Sequence, residues 1–220
     1  MPVDGKDQQR ASAPPATVQV RGEGAIEVEP DAATIVAGML ATSATLERAR
    51  ADAALTVNAI IAAARSAGIP DRDIQTSSFT VTPRRDVDKQ GNLGPITSYD
   101  IRNRVTLTVR DLDHLPSVLD SIVDSGSNDI SGPTFFVQHP ERAEDDARRL
   151  AMASARRRAE VLATSAGTTL GRVVAIVDGD AYRPAPRPLA MAKFAQAEAT
   201  PIEAGVERIT ASVEVTWELI

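Results

Sequence analysis

Three segments of this chain alternate apolar and polar residues with a period of two, and this feature restricts its fold more than any other. In segment 209–219 one parity carries only apolar side chains: Ile209, Ala211, Val213, Val215, Trp217 and Leu219. Segments 99–109 and 18–28 follow the same rule. Such alternation predicts strands with one buried and one solvent-facing side. Several strands of this kind favour a largely antiparallel sheet that is covered on one side.

The first of these strands contains a glycine pair, Gly22 and Gly24, within the segment VQVRGEGAIEV. A dinucleotide loop needs such glycines after a strand and at the start of a helix. Here the alternation continues through both glycines to Val28, and no helical pattern follows. Both lie on the inward parity, so we predict structural glycines, where a neighbouring element packs very close or the strand bends. In the alternative interpretation, they make room for a small ligand.

Three other segments repeat apolar residues at steps of three and four, which predicts amphipathic helices. The first runs from Thr45 to Gly68, with Ser43 or Thr45 as its cap, and the second from Asp113 to Gly126. The third covers about 140–166, with predicted ion pairs Glu144–Arg148 and Asp145–Arg149. Its predicted buried stripe consists of Ala147, Leu150, Ala151, Ala155, Ala159, Leu162 and Ala166.

The remaining apolar segments complete a mixed order of strands and helices. Segment 33–42 is apolar on both parities and predicts a central strand, whereas 130–137 contains Pro133 and predicts an edge or a bulge. Segments 73–86 and 170–178 are further strands, and the polar segment 86–95 predicts a mobile hairpin tip. We therefore expect an α+β fold with two layers, in which three helices pack on one side of the sheet, as one domain or two tightly merged halves.

Composition excludes several classes of function. The net charge of −6 disfavours nucleic acid as a partner, and the absence of cysteine removes disulfides and thiol chemistry. No apolar run is long enough for a membrane span. His114 and His139 lack metal-ligand spacing, and no Gly-x-Ser-x-Gly motif occurs. We predict no catalytic residue, no cofactor and no metal.

The two most polar regions are predicted to lack regular structure. Residues 1–16 predict a disordered leader without the apolar segment of a signal peptide. The Pro-rich segment 181–205 predicts a flexible arm, because so long an irregular segment is unusual inside a compact domain. The candidates for contacts between subunits are Leu189, Met191 and Phe194 in this arm, and Arg102 and Arg104 on the strand 99–109.

Five sequence elements in a fixed order resemble the SIMPL domain family. These are VxGEGxIxVxPDxA, then GIxxxDIQTSSF, then YxxxNxVTLTVRDLD, then the third helix with LGRV, and finally PIEAGxxxIxAxVxVxW. The resemblance implies an α+β fold, export to the bacterial periplasm or envelope, and links to oxidative-stress defence. One periplasmic member assembles into a ring-like, channel-like oligomer. The family brings no catalytic motif.

These observations lead to one main hypothesis and one alternative. The main hypothesis is a non-enzymatic periplasmic or exported protein that acts through homo-oligomeric assembly, with strand edges, the arm and the 86–95 loop as contacts. The alternative is a protein that binds a small ligand, or a weak catalyst, with the ligand beside Gly22 and Gly24. An adaptor that binds another protein through the arm is a third possibility.

Overall fold

A computed structural model describes residues 15–87, 90–179 and 203–220. Seven strands and three helices follow one another as β1 (Thr17–Val28), β2 (Ala32–Ser43), α1 (Leu46–Ser66), β3 (Ile74–Val87), β4 (Leu93–Val109), α2 (Leu115–Asp124), β5 (Asp129–Phe136), α3 (Glu141–Ser165), β6 (Leu170–Asp178) and β7 (Glu207–Leu219). The strands form two antiparallel sheets, in the orders β1-β7-β6 and β3-β4-β2-β5. The predicted two-layer α+β class is confirmed.

The chain forms two compact units. The four-stranded unit holds β2 to β5 with α1 and α2, and the three-stranded unit holds β1, β6 and β7 with α3. A single continuous sheet would require all seven strands to pair in one order, and the hydrogen bonds instead divide them between two sheets. The sequence pattern was compatible with one domain and with two merged halves.

In the four-stranded unit, β2 is the central strand that its apolar sequence predicted. It pairs with β4 from Ala33↔Val109 to Ser43↔Tyr99, and with β5 on its other side. The β2–β5 register shifts between Thr34 and Val36, which agrees with the bulge predicted near Pro133. Helices α1 and α2 cover one face, where the largest fully buried side chains are Ile35, Ile60, Ile101, Val105, Leu107, Leu115, Val118 and Ile122.

The ends of the first two helices follow from local chemistry. Helix α1 begins after Thr45, whose hydroxyl accepts a hydrogen bond from the Arg48 backbone N–H, and Gly68 follows its end with a φ of +89°. The prediction that Asp113 caps the second helix is wrong. The Asp111 carboxylate caps a short 3-10 turn by accepting from the Asp113 N–H, and α2 begins only at Leu115. An extra turn therefore precedes the helix.

The hairpin between β3 and β4 is longer than the sequence suggested. The segment 86–95 is a predicted loop, yet β3 extends to Val87 and β4 begins at Leu93. Two register irregularities, at 84–85 and 85–87, accompany the extension. Cross-strand backbone hydrogen bonds can form between polar residues as well as apolar ones, so the strands continue past the point where the alternation stops.

In the three-stranded unit, α3 packs on the sheet mainly through alanines. The fully buried residues at this contact recur at every fourth position, as Ala147, Ala151, Ala155, Ala159 and Ala163, and the partly buried Met152 packs against the same cluster. The prediction that Leu150, Leu162 and Ala166 belong to the buried stripe is wrong, because the leucine side chains are 44% and 50% exposed and Ala166 is exposed beyond the end of the helix. Arg149 pairs with Asp146 rather than with Asp145, which instead contacts Arg148 at 3.2 Å.

Candidate functional site

The glycine pair of β1 lies directly against the backbone of α3. A Cβ atom added to Gly22 would lie 2.6 Å from the Ala155 nitrogen and would also overlap the Ala151 carbonyl oxygen. A Cβ atom on Gly24 would lie 2.5 Å from the Ala151 nitrogen and would overlap the Ala147 carbonyl oxygen. The helix therefore occupies the space beside both glycines, on the side where the alternative hypothesis placed a ligand.

The spacing of these residues explains the close contact. Two residues of a strand advance about 6.6 Å, and four residues of a helix advance about 6 Å. The step from Gly22 to Gly24 therefore matches the step from Ala155 to Ala151 along the helix. The four-residue alanine repeat, considered together with the Gly-x-Gly pair, was a signal in the sequence that could have identified this contact before the structure.

A groove of about 500 Å³ lies in the three-stranded unit, at β1 and β7. Its polar lining consists of Arg21, Glu23, Arg208, Thr210 and Ser212, and Gly24 also reaches it. The Arg21 guanidinium lies 3.6 Å from the Glu23 carboxylate and donates to the Ser212 hydroxyl at 3.3 Å. With two guanidinium groups and one carboxylate, the groove has the chemistry to hold a small anion.

Arg102 and Arg104 lie on the open face of the four-stranded sheet, where both contact Asp129. Arg104 makes two hydrogen bonds to this carboxylate, at 2.7 and 2.6 Å, and Arg102 lies 3.1 Å away. Gly38 of β2 stands between Arg104 and Asp129 in the register. Because Gly38 has no side chain, the Arg104 side chain can cross β2 at this point. A Cβ atom on Gly38 would lie 2.9 Å from the Cγ of Arg104.

The arginine and aspartate side chains on this face form hydrogen-bonded ion pairs with one another. The Arg104 hydrogen bonds lower the pKa of Asp129, and the Asp129 hydrogen bonds raise the pKa of Arg104. Nearby, hydrogen bonds from Thr42, and then from Arg84, lower the pKa of Asp100. Both arginines predicted as subunit contacts therefore already have a partner within the chain. Their role between subunits stays a prediction.

Strand β6 is the most apolar exposed feature of the three-stranded unit. Four of its side chains, which we call the β6 strip, are between 43% and 59% exposed: Val173, Val174, Ile176 and Val177. Over residues 15–87, 90–179 and 203–220, β6 is one of the two outer strands of its sheet, and β1 is the other. An apolar edge strand of this kind is a surface on which another strand can add.

The outer strand β3 of the other sheet has a comparable surface. Phe79 and Val81 of β3 are exposed, as are Leu93 and Ile96 on the adjoining end of β4. In the register, Val81 stands beside the buried Ile101 and Phe79 beside Asn103. These side chains thus lie on the helix-covered face of the sheet, in a region that the helices leave open.

The structure leaves several candidates untested. Leu189, Met191 and Phe194 lie outside the described residues. His114 contacts the Asp111 carboxylate at 2.9 Å, and this pair is a local contact within one turn.

Over residues 15–87, 90–179 and 203–220, no cluster of three or more His, Asp or Glu side chains is placed to hold a metal ion. None of the helices in these ranges is long and apolar enough to cross a bilayer.

Comparison with known proteins gives this architecture a family. Residues 18–217 match the model of SIMPL, described as a protein of unknown function (DUF541). The chain is 32% identical to the 26 kDa periplasmic immunogenic protein of Brucella melitensis over 214 residues, which cover 93% of this chain and 85% of that protein. It is 27% identical over 184 residues to YggE of Escherichia coli K12, described as uncharacterized, covering 83% and 72% of the two chains. The chain belongs to the SIMPL family.

Proposed function

We propose that this protein is a non-enzymatic component of the bacterial periplasm or cell envelope that works as a homo-oligomeric assembly in stress defence. The observation that carries the proposal is the exposed apolar side chains on one outer strand of each sheet, which are Phe79 and Val81 on β3 and the β6 strip. The periplasmic relative, similar over nearly the whole chain, supports the location. The absence of any catalytic constellation in the sequence favours a structural role.

The physical argument rests on the cost of exposing a strand of this kind. An outer strand presents unpaired backbone groups, and proteins usually protect it with charged residues, proline or a covering element. The β6 strip has no charge between Arg172 and Asp178, and β3 exposes an aromatic ring at Phe79. Burying such side chains releases about 25 cal/mol for each Å² of apolar surface, so assembly is favourable at both edges.

Other surfaces take part in the proposal with less direct support. The arm residues Leu189, Met191 and Phe194 are apolar and are proposed contacts on sequence grounds. Arg102 and Arg104 are proposed to contact a second subunit at the rim of an interface, since they remain 47% and 30% exposed beside Asp129. A rim position suits charges that already have an internal partner.

Light scattering across a wide concentration range tests the proposal on the full chain. We expect a defined oligomer, and Phe79→Ser should lower its mass or stability if the β3 edge contributes. Leu55→Ser is the control, because Leu55 is also apolar and is 74% exposed, against 56% for Phe79, but lies on helix α1. A wild-type protein that stays monomeric at high concentration would contradict assembly.

If small anions then raised the melting temperature of the monomer, and Arg208→Ala removed this effect, the ligand-binding alternative would replace the assembly hypothesis.

A further inference from the structure

We infer that a groove between β1 and the C-terminal half of α3 binds a free anionic amphiphile, a small molecule with one carboxylate or phosphate group and one hydrocarbon chain. This β1–α3 groove has a volume of about 520 Å³ and is lined by Val20, Arg21, Arg157, Arg158, Val161 and Leu162. It differs from the groove at β1 and β7, with which it shares only Arg21. The inference goes beyond the proposed assembly and does not depend on it.

The first support is the apolar surface that lines the groove. Val161 and Leu162 are 65% and 50% exposed. Val20 packs against the alanine cluster of α3 and is only partly buried there, and it also lines the groove. Single exposed apolar residues are ordinary on a protein surface, whereas grouped ones are typical of ligand-binding grooves. The three side chains therefore offer a contact for a hydrocarbon chain.

The second support is positive charge that has no internal partner. Within residues 15–87, 90–179 and 203–220, neither Arg157 nor Arg158 forms an ion pair, whereas the adjacent Arg156 pairs with Glu160 at 2.9 Å. Guanidinium groups bind carboxylate and phosphate groups through charge-assisted hydrogen bonds. The groove is thus complementary to an anion.

The third support is the way in which Arg158 is held. Its Nη1 donates to the Arg21 backbone carbonyl at 2.7 Å, which fixes the guanidinium group against β1. This bond uses one of five N–H donors and leaves others for a ligand. Because the side chain is already ordered, binding costs less conformational entropy. The Arg21 side chain contributes less, since Glu23 lies 3.6 Å away and Ser212 accepts a hydrogen bond from it at 3.3 Å.

The spacing along α3 places charge and apolar surface side by side. Arg157 stands four residues before Val161, and Arg158 stands four residues before Leu162. Residues four apart are neighbours on the surface of a helix. Each guanidinium-bearing residue therefore adjoins an apolar residue one turn further along. A ligand that contacts both rows must be anionic at one end and apolar at the other.

The size of the groove favours a small molecule over a larger partner. From Arg157 to Leu162 the helix advances about 7.5 Å. The volume of about 520 Å³ falls within the range of small-molecule sites, about 300–1,000 Å³. A protein interface commonly uses about 20–30 residues on each side. A bilayer with anionic lipids would repel a chain with a net charge of −6, so we assign the groove to a free amphiphile.

Titration calorimetry on the full chain tests the ligand class with three probes. The probes are dodecanoate below its micelle concentration, the neutral amphiphile dodecyl maltoside, and acetate. We expect saturable binding of dodecanoate, with one molecule per chain, and affinities about tenfold lower or less for the other two probes. Absence of dodecanoate binding would overturn the inference. Equal affinity for dodecyl maltoside or for acetate would overturn it as well, because either the charge or the chain would then be irrelevant.

Substitutions in the groove test its position. We expect Arg157→Gln to weaken dodecanoate binding about tenfold and Leu162→Ser about threefold. Arg157 is chosen because Arg158 also contacts the β1 backbone and its loss could disturb folding. The matched controls on the same helix are Arg142→Gln and Leu150→Ser, since neither residue lines the groove and Leu150 is 44% exposed. Equal losses in the controls and the groove variants, at unchanged melting temperatures, would overturn the site.

Two further measurements exclude other sources and sites. Arg208→Ala should bind dodecanoate normally, because Arg208 lines only the groove at β1 and β7; loss of binding would move the site there and overturn the inference. Vesicles of phosphatidylglycerol or of phosphatidylcholine should not sediment the protein. Sedimentation by phosphatidylglycerol that Arg157→Gln abolishes would assign the groove to a membrane surface instead. A chain that is monomeric in light scattering yet binds dodecanoate would contradict the assembly and support this inference.

Discussion

The two units of this protein pack helices on antiparallel sheets with opposite choices of side chain. The largest core cluster of the four-stranded unit consists mainly of isoleucine, leucine and valine, whereas the three-stranded unit places alanines of α3 against glycines of β1. In the first, large side chains such as Ile35, Ile60 and Leu107 fill the space between the helices and the sheet. In the second, a helix backbone touches a strand backbone. The residues at the contact thus decide whether side chains or backbones meet.

The two kinds of contact have different tolerance to change. A core of large aliphatic side chains loses stability in proportion to the volume removed, and neighbouring side chains can partly adjust. A contact between two backbones has no flexible side chain that could move aside, so added volume must displace a whole element. The three-stranded unit should therefore be sensitive to enlargement and the four-stranded unit to truncation.

The largest effect should come from Gly24→Ala. One methyl group at this position overlaps the backbone of α3, and we expect a loss of about 3 kcal/mol or more, at the upper end for overpacking. Chemical denaturation monitored by Trp217, which is buried in this unit, measures the change. Ala25→Val is the control: it adds two carbon atoms to the neighbouring residue, on the opposite parity, and should change stability by less than about 0.5 kcal/mol. Equal effects of both variants would contradict the difference between the units.

A smaller effect is expected from truncation in the four-stranded unit. Leu107 is fully buried between the sheet and its helices, and Leu107→Ala should cost about 2–3 kcal/mol, at the lower end for this substitution, because neighbouring side chains can partly fill the cavity. The same substitution at the exposed Leu55 should cost less than about 0.5 kcal/mol. Urea denaturation followed by circular dichroism measures both. A loss at Leu107 no larger than at Leu55 would show that large side chains do not hold this unit together.

The smallest effect concerns a charge in the four-stranded unit. Two hydrogen bonds from Arg110, at 2.8 and 2.7 Å, lower the pKa of the buried Asp73 carboxyl. Because the folded pKa lies below the unfolded value of about 3.9, the pair stabilises the protein above that pH. The contribution is lost as pH falls through the folded pKa. Asp73→Asn should cost about 1–2 kcal/mol at pH 7, after allowance for the exposed guanidinium.

The pH dependence of this variant provides its control. In acid titrations followed by circular dichroism, wild type and Asp73→Asn should differ most at neutral pH. Their stabilities should begin to converge below about pH 4, the unfolded pKa, and become equal once pH falls below the lowered pKa of the folded carboxyl. A difference in stability that persists unchanged into strong acid would show that the amide disturbs packing. In that case the ion pair would not be the source of the effect.

The secondary structure followed largely from local pattern, and its errors have local causes. The alternation in β1, β4 and β7 and the cap at Thr45 were predicted from the sequence. The stripe on α3 was predicted too wide, because a three- and four-residue period accepts Leu150 and Leu162 as readily as the alanines. The close approach of β1 selects alanine at the centre of the contact, and the half-exposed leucines lie at its margin, with the Leu150 Cβ near Gly24.

The candidate glycines and the candidate arginines differ in how far their surroundings could be predicted from the sequence. Gly22 and Gly24 share the inward parity of their own strand, so their place could be predicted from one segment. The pairing of Arg104 with Asp129 across Gly38 joins three strands that are far apart in the chain. No periodicity within one segment contains that information.

The sequence by itself determined the alternation of β1, β4 and β7, the amphipathic helices, the absence of thiol chemistry and the family. Only the tertiary structure decided that seven strands divide between two sheets, that a glycine lets Arg104 reach Asp129, and that β6 lies at an outer position. The physical reason is that hydrogen-bond patterns along one segment are local, whereas the choice of a strand's neighbours depends on contacts between distant segments. An edge exists only once those neighbours are fixed.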